Sequence, residues 1–321
     1  MTCRLLLLAS VALAVWFTSG RAQAATSCSA SIENIAFNVV DPEGNTTSRT
    51  TIRYDCGSLA LAWVNVSMCF ALQPAPGGVR AMRNDYDDGL ALQLYKDANR
   101  TTPWGNNGAN RIQVSLRYPS LFVGGDGATV DVYGTVPSQP GAAAGVFNSQ
   151  EMVQLTYRVA EGDAKTPIPS TCNGSGDSSF VLPATASVPD SCKVLTASNL
   201  NFNPGAPLAG TRTGELNSTS AINLSCRRRT EWQLDLDQGL YAEGGVRHMK
   251  NQNGDALISY RLSQDPGGDL PWGNGADGRT ADPAKDSSSG SHTLIVYGEV
   301  PDQPLEQAGR YSDTIKVTVT Y

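Results

Sequence analysis

Two imperfect copies of one pattern lie in tandem along the 321-residue chain, so whatever the first copy folds into, the second must fold into a variant of it. Pro103-Trp104-Gly105-Asn106 recurs as Pro271-Trp272-Gly273-Asn274, and Val132-Tyr133-Gly134-Thr135-Val136-Pro137-Ser138-Gln139-Pro140 recurs as Val296-Tyr297-Gly298-Glu299-Val300-Pro301-Asp302-Gln303-Pro304. Gly77-Gly78-Val79-Arg80 returns as Gly244-Gly245-Val246-Arg247, and Val153-Gln154-Leu155-Thr156-Tyr157 as Val317-Thr318-Val319-Thr320-Tyr321. Cys28 matches Cys192 and Cys56 matches Cys226, with internal spacings of 28 and 34 residues. The repeat predicts two domains, at 25–160 and 191–321, joined by a linker at 161–190.

Inside each copy the apolar residues alternate. Thr50-Thr51-Ile52-Arg53-Tyr54, Leu90-Ala91-Leu92-Gln93-Leu94-Tyr95 and Ile315-Lys316-Val317-Thr318-Val319 have period two and are separated by Gly, Pro, Asn and Asp. With 32 glycines and 18 prolines there is little room for long helices. Each strand buries one face only, so two sheets must cover each other. The expectation is all-β: two immunoglobulin-like antiparallel β-sandwich domains.

The start of the chain sets the compartment. Met1 to Arg4 is positive, Leu5 to Phe17 is apolar, and Ala22-Gln23-Ala24 is a small-x-small cleavage site, which predicts a signal peptide over 1–24. No later segment approaches the roughly 20 apolar residues of a membrane-spanning helix, so no membrane span is expected. Six cysteines follow the leader, at 28, 56, 69, 172, 192 and 226, and export favours disulfides over metal thiolates. Six cysteines allow about 15 pairings.

Little in the sequence supports catalysis or cofactor chemistry. The net charge is −6 with 17% charged residues, which offers no footprint for nucleic acid. The two histidines, His248 and His292, have no cysteine or carboxylate at ligand spacing. Asp85-Tyr86-Asp87-Asp88-Gly89 lacks the ligand positions of an EF-hand and reads as a solvated turn. Asp235 and Asp237 share a polar strand face, and Trp104 and Trp272 read as turn residues packed on their sandwiches. Arg227-Arg228-Arg229 is either an edge that resists aggregation or a patch for a partner's charges. No catalytic residue, metal site or cofactor is expected, and the chain is read as not an enzyme.

In the second copy, Asn199-Leu200-Asn201-Phe202, Cys226, Arg247-x-Met249, Pro271-Trp272-Gly273-Asn274, Val296-Tyr297-Gly298 and Gly309-Arg310-Tyr311-Ser312-Asp313-Thr314 follow one another in order. These motifs resemble the spore coat U family, the pilin-type domain of archaic, Csu-type chaperone-usher pili. The first copy departs from the pattern: Gly145-Val146-Phe147-Asn148-Ser149-Gln150 replaces Gly-x-Tyr-x-Asp, and Cys69 and Cys172 have no counterparts in the second. A two-domain member is similar to the tip subunit of such a pilus, with an adhesin-like first domain and a pilin-like second. The resemblance implies surface attachment and biofilm formation, and passage through the periplasm to the pilus tip at the cell surface. It implies a periplasmic chaperone, an outer-membrane usher, the donor strand of the next pilin, and an abiotic surface or host receptor as partners. A structural spore-coat or extracellular matrix protein built from the same domains is the alternative. An exported carbohydrate-active enzyme would need an acid/base carboxylate pair that is not identifiable here.

The segment 179–189 is a candidate donor strand, with Phe180, Leu182, Ala184, Ala186 and Val188 on one face. The repeat places its counterpart at Trp16 to Ala24, inside the leader, so the mature chain is expected to have no amino-terminal extension to donate. The second domain ends at Tyr321 and is expected to lack its final strand, leaving a groove. Filling such a groove is worth on the order of 6 to 9 kcal/mol. Pro183, which removes a ladder donor, keeps an ordered linker as the alternative. Position in the repeat joins Cys28 to Cys56 and Cys192 to Cys226, leaving Cys69 and Cys172 as a tether for the donor segment. Three loops are expected at the far end of the first domain. They carry Leu59, Leu61 and Trp63, then Leu121, Phe122 and Val123, and then Ile168. The Leu121-Phe122-Val123 run either plugs the core or forms an adhesive loop for a hydrophobic surface, with a glycan pocket as the alternative.

Overall fold

The computed structural model describes residues 26–203, 207–273, 279–280 and 290–321; the expected leader and Asn274 lie outside them. Every regular element among the described residues is a strand. The first eleven are β1 (Thr26–Ile32), β2 (Ile35–Val39), β3 (Thr46–Ser58), β4 (Leu61–Leu72), β5 (Ala81–Arg83), β6 (Gly89–Ala91), β7 (Gln93–Tyr95), β8 (Ile112–Leu121), β9 (Gly124–Val136), β10 (Gly145–Gly162) and β11 (Gly176–Val188). They form two sheets, β1-β3-β9-β7 and β2-β11-β10-β4-β8, with β5 and β6 attached to β10. Between them lies one apolar core that includes Ile35, Ile52, Phe70, Leu94, Phe147, Leu155 and Leu182. Alternation along β3 turns Ile52, Tyr54 and Cys56 into that core and leaves Arg53 and Asp55 in water.

The second sandwich contains β12 (Cys192–Ala197), β13 (Leu216–Cys226), β14 (Gln233–Leu236), β15 (Arg247–Asn251), β16 (Leu257–Ser263), β17 (Arg279–Thr280), β18 (Gly290–Val300), β19 (Tyr311–Ser312) and β20 (Val317–Thr320). Its sheets are β12-β13-β18-β16-β15-β19 and β17-β14-β20. A separate core gathers Leu224, Trp232, Leu234, Tyr260, Trp272 and Val300. The repeated Val-Tyr-Gly motif has a packing cause. A Cβ on Gly134 would meet Ile35 Cδ1 and Phe37 Cζ at 2.7 Å, and one on Gly298 would meet Leu200 Cδ1 at 2.7 Å and Phe202 Cζ at 3.0 Å. Trp104 and Trp272 are both buried, and the Trp104 indole donates to Phe70 O at 2.9 Å.

Disulfides join Cys28–Cys56, Cys69–Cys172 and Cys192–Cys226. The second belongs to a feature without a counterpart among the described residues of the other sandwich. Residues 163–175, between β10 and β11, run as a strap over the outer face of β4 and β8. Arg117 donates to Asn65 Oδ1 at 2.6 Å and to the carbonyls of Ala164 and Thr166. Gln113 reaches Ser67 Oγ at 2.9 Å and Ser170 O at 3.4 Å, and Cys172 closes the strap onto Cys69. The strap explains why β4 is buried on both faces although Asn65, Ser67 and Cys69 alternate with its core residues. Each covered polar group has a partner, as burial demands.

Candidate functional site

Strand β11 closes the first core. It pairs antiparallel with β10 from Gly145↔Val188 to Tyr157↔Gly176, and parallel with β2 at Ala184↔Ile35, Thr185↔Ala36 and Ser187↔Val39. Leu182, Ala184, Ala186 and Val188 are buried opposite Glu151, Ser149, Phe147 and Gly145, while half-buried Phe180 meets the Phe70 ring edge-on at 6.1 Å. The small residues matter because their partners, Ile35 and Phe147, already fill the space. Pro183 sits just ahead of the β2 ladder, where only β10 flanks the strand. Opposite Leu182, Glu151 is buried in an ion pair with Arg80. Burial alone lowers the affinity of that guanidinium for its proton.

Among the described residues, the matched surface of the second sandwich carries no strand equivalent to β11. Strand β20 repeats the pairing of β10 with β4: Leu234↔Val319 and Leu236↔Val317 match Phe70↔Leu155 and Leu72↔Val153. Among the described residues β20 is an edge, and β10, 18 residues long, is represented by the short strands β19 and β20. Residues 200–203, matched to the start of β2, form no strand. Where Val153, Leu155, Ile35 and Phe37 are buried, their matches Val317, Val319, Leu200 and Phe202 are only half-buried beside the core. Arg247, matched to Arg80, is buried and donates to Asp237 O at 2.7 Å. Tyr260 donates to Asp313 Oδ2 at 2.6 Å, and burial first, then that bond, raises its hydroxyl pKa. Val317, Val319, Leu200 and Phe202 together make a half-buried apolar row against the second core, termed the trough.

The other end of the first sandwich is apolar. Strand β10 runs from Gly145, beside the second sandwich, to Gly162, about 55 Å away at strand rise. At that far end Gly162 pairs with Trp63, Trp63 with Pro119, and Leu61 with Leu121. Leu59 in the β3–β4 turn and Leu61 at the start of β4 adjoin Leu121 at the end of β8 and Phe122 and Val123 in the β8–β9 turn, where Phe122 N donates to Ala60 O at 2.9 Å. The last three are 76%, 71% and 77% exposed, so they do not plug the core. Trp63 is half-buried within β4, and Ile168 lies in the strap, partly exposed at 37%. Phe122 holds φ at +74°, which is unfavourable for any side chain and displays an aromatic ring outward.

A third cluster joins the sandwiches. The Asp85–Gly89 turn, expected to be solvated, buries its last carboxylate: Asp88 binds Arg229 Nε at 2.8 Å and Arg228 Nη1 at 3.1 Å. The Arg229 guanidinium lies 4.5 Å from the Tyr86 ring centre, and Ala144 N donates to Arg228 O at 2.8 Å. Arg227 binds Pro189 O in the connection itself. Burial works against the Asp88 charge, but bonds from Arg229 and Asn84 and the charges of both arginines outweigh it and hold the carboxyl below its ordinary range. The acidic turn and the arginine run are each visible in the sequence; only the fold shows that they meet. Asp235 and Asp237 are taken up locally, by Gln233 Nε2 and by the amides of Gly239 and Lys316. Among the described residues no three His, Cys, Asp or Glu groups could hold a metal ion, and no helix is long and apolar enough to cross a membrane.

A family model for the Spore Coat Protein U domain matches residues 14–155 and again 178–318. The chain belongs to the Spore Coat Protein U domain family. The second match begins inside β11, so the strand opens one Spore Coat Protein U unit in sequence and completes the preceding unit in space. Similar solved structures include the chaperone–tip adhesion subunit pre-assembly complex CsuC–CsuE from archaic Csu pili of Acinetobacter baumannii. It is 16% identical, spans 92% of this chain and 100% of its own, and has a TM-score of 0.44. The CupB6 tip adhesin of Pseudomonas aeruginosa is 12% identical over 91% of this chain and 94% of its own, with a TM-score of 0.37. No curated protein matches the sequence.

Proposed function

We propose that the chain is a non-enzymatic tip subunit of a chaperone-usher pilus: two consecutive pilin units in one polypeptide, the first modified for surface attachment. One observation carries the reading. Strand β11 begins the second family unit and fills the first sandwich, while the matched trough of the second sandwich has no such strand among the described residues. The covalent pair is therefore a picture of how one unit receives the next, and the second trough is the acceptor for a donor strand in trans. A periplasmic chaperone would cover that trough before assembly, an outer-membrane usher would exchange it for the next subunit's extension, and the finished protein would sit at the surface.

The terminal position has support from the apolar end. In the second unit the residues after the second cysteine are Arg227-Arg228-Arg229, which grip the unit ahead. The matched residues of the first unit are Gly57-Ser58-Leu59, of which Leu59 is part of an exposed apolar surface with Leu61, Leu121, Phe122 and Val123. Five large apolar side chains in water at one end suit contact with an apolar abiotic surface or an apolar patch on a host receptor, hence attachment and biofilm formation. Immunogold labelling of pili with antibodies to the first unit should mark free ends. Label distributed along the shaft would overturn the terminal position.

A further inference from the structure

The joint between the two units has a matched but uncovered face on the second unit. Asn84 and Asp88 of the first unit match Asn251 and Asp255 of the second, following the matched Met82 and Met249. The turns are built alike: Asn84 Oδ1 accepts from Tyr86 N at 3.0 Å, and Asn251 Oδ1 accepts from Asn253 N at 2.8 Å. Both asparagines are buried. What differs is the occupant. Asp88, 10% exposed, is covered by two arginines of the following unit, whereas Asp255 is 97% exposed and, among the described residues, pairs with Lys250 at 2.7 Å. Beside it, buried Ala142 and Ala144 of the first unit correspond to exposed Glu306 and Ala308. Lys250 pairs with Asp255 on this face, and the backbone carbonyl of Arg310 accepts from Gln252 N on the same turn.

Resting on the pilin reading above, we infer that the Asp255–Glu306 face is the docking surface for the next subunit of the same family, which places a basic residue of its loop after the second cysteine on Asp255. The contact repeats the hold of Arg228 and Arg229 on Asp88. It is head-to-tail, since the second-cysteine end of one unit meets the acidic end of the unit ahead, and such contacts propagate as open filaments. The exposed Lys250–Asp255 pair is weak and yields to an arginine that arrives already positioned by its strand in the trough.

Two probes separate this docking from strand insertion. One is a synthetic peptide of residues 176–188, which can only fill the trough. The other is residues 176–321 with a copy of 176–188 fused through a Gly/Ser linker to close its own trough, which can fill the trough and dock. Dissociation from the full chain should be roughly tenfold slower for the unit than for the peptide. Asp255→Arg in the full chain should erase that difference without altering peptide binding, and Arg228→Asp with Arg229→Asp in the unit should restore it. Hydrogen exchange should show amides 251–255 protected by the unit and not by the peptide. A slow unit dissociation that ignores Asp255→Arg, or a unit that leaves those amides unprotected, overturns the docking surface while leaving the trough intact. A peptide that does not bind at all overturns the trough, and the docking with it.

Discussion

Phe122 is where the backbone and the proposed use of the molecule pull apart. Its φ of +74° costs a non-glycine residue roughly 1 to 2 kcal/mol, and its ring lies in solvent. Phe122→Gly should therefore raise the stability of the first unit by about 1 kcal/mol while reducing attachment to polystyrene. Calorimetry and an adhesion assay on the same pili read the two opposite signs. Unchanged adhesion would remove this turn from the contact. Asp88 makes a second residue-scale prediction. A carboxyl held below its ordinary value contributes to the joint above the ordinary carboxylate range and loses that contribution as pH falls through its folded pKa. The joint is expected to stay closed at neutral pH and to open only as the pH falls below the ordinary carboxylate range, and Asp88→Asn should open it at pH 7 with both units still folded. Interdomain energy transfer between labels on the two units follows the opening. The residues of this joint were legible singly, as an acidic turn and an arginine run, but a pairing across 140 positions leaves no local periodicity to read.

At the scale of elements, alternation made the strands legible: Phe180 to Val188 shows its faces in the sequence because period two survives from residue type to sheet. The repeat was legible because the matched residues carry packing demands, such as glycine under Ile35 and Phe37 or a buried tryptophan. The strap was not. Residues 163–175 have the composition of a linker, and their order comes from Arg117, Gln113 and Cys172, which they reach only after the sheet exists. The Cys69–Cys172 bridge spans 103 residues, and loops of that size are worth about 4 to 5 kcal/mol. Replacing both cysteines with serine should destabilise the first unit by several kcal/mol and make the strap sensitive to limited proteolysis, with the second unit unaffected. Matched truncations test the difference between the two acceptor strands. Leu155→Ala, at a fully buried site, should cost about 2 to 5 kcal/mol, and half-buried Val319→Ala only about 1 until a donor strand covers it.

On the function proposed, the whole molecule is one polymer step held in a single chain. The first unit is complete because the second lends it β11, the joint fixes their polarity, and the chain presents an apolar turn cluster at one end and a trough at the other. Each part has a chemical reason to face outward, and in the trough that reason is a half-buried row with no strand on it among the described residues. Titrating the peptide of residues 176–188 into the full chain and following the two unfolding transitions by calorimetry asks directly whether that trough accepts a strand. The second unit's transition should rise with peptide, by about 2.7 kcal/mol of stabilisation at a hundredfold excess over Kd, while the first stays fixed. A peptide carrying Asp in place of Leu182 should have no effect. A second unit that melts as stably without the peptide as with it would contradict the account, because its acceptor surface would already be closed.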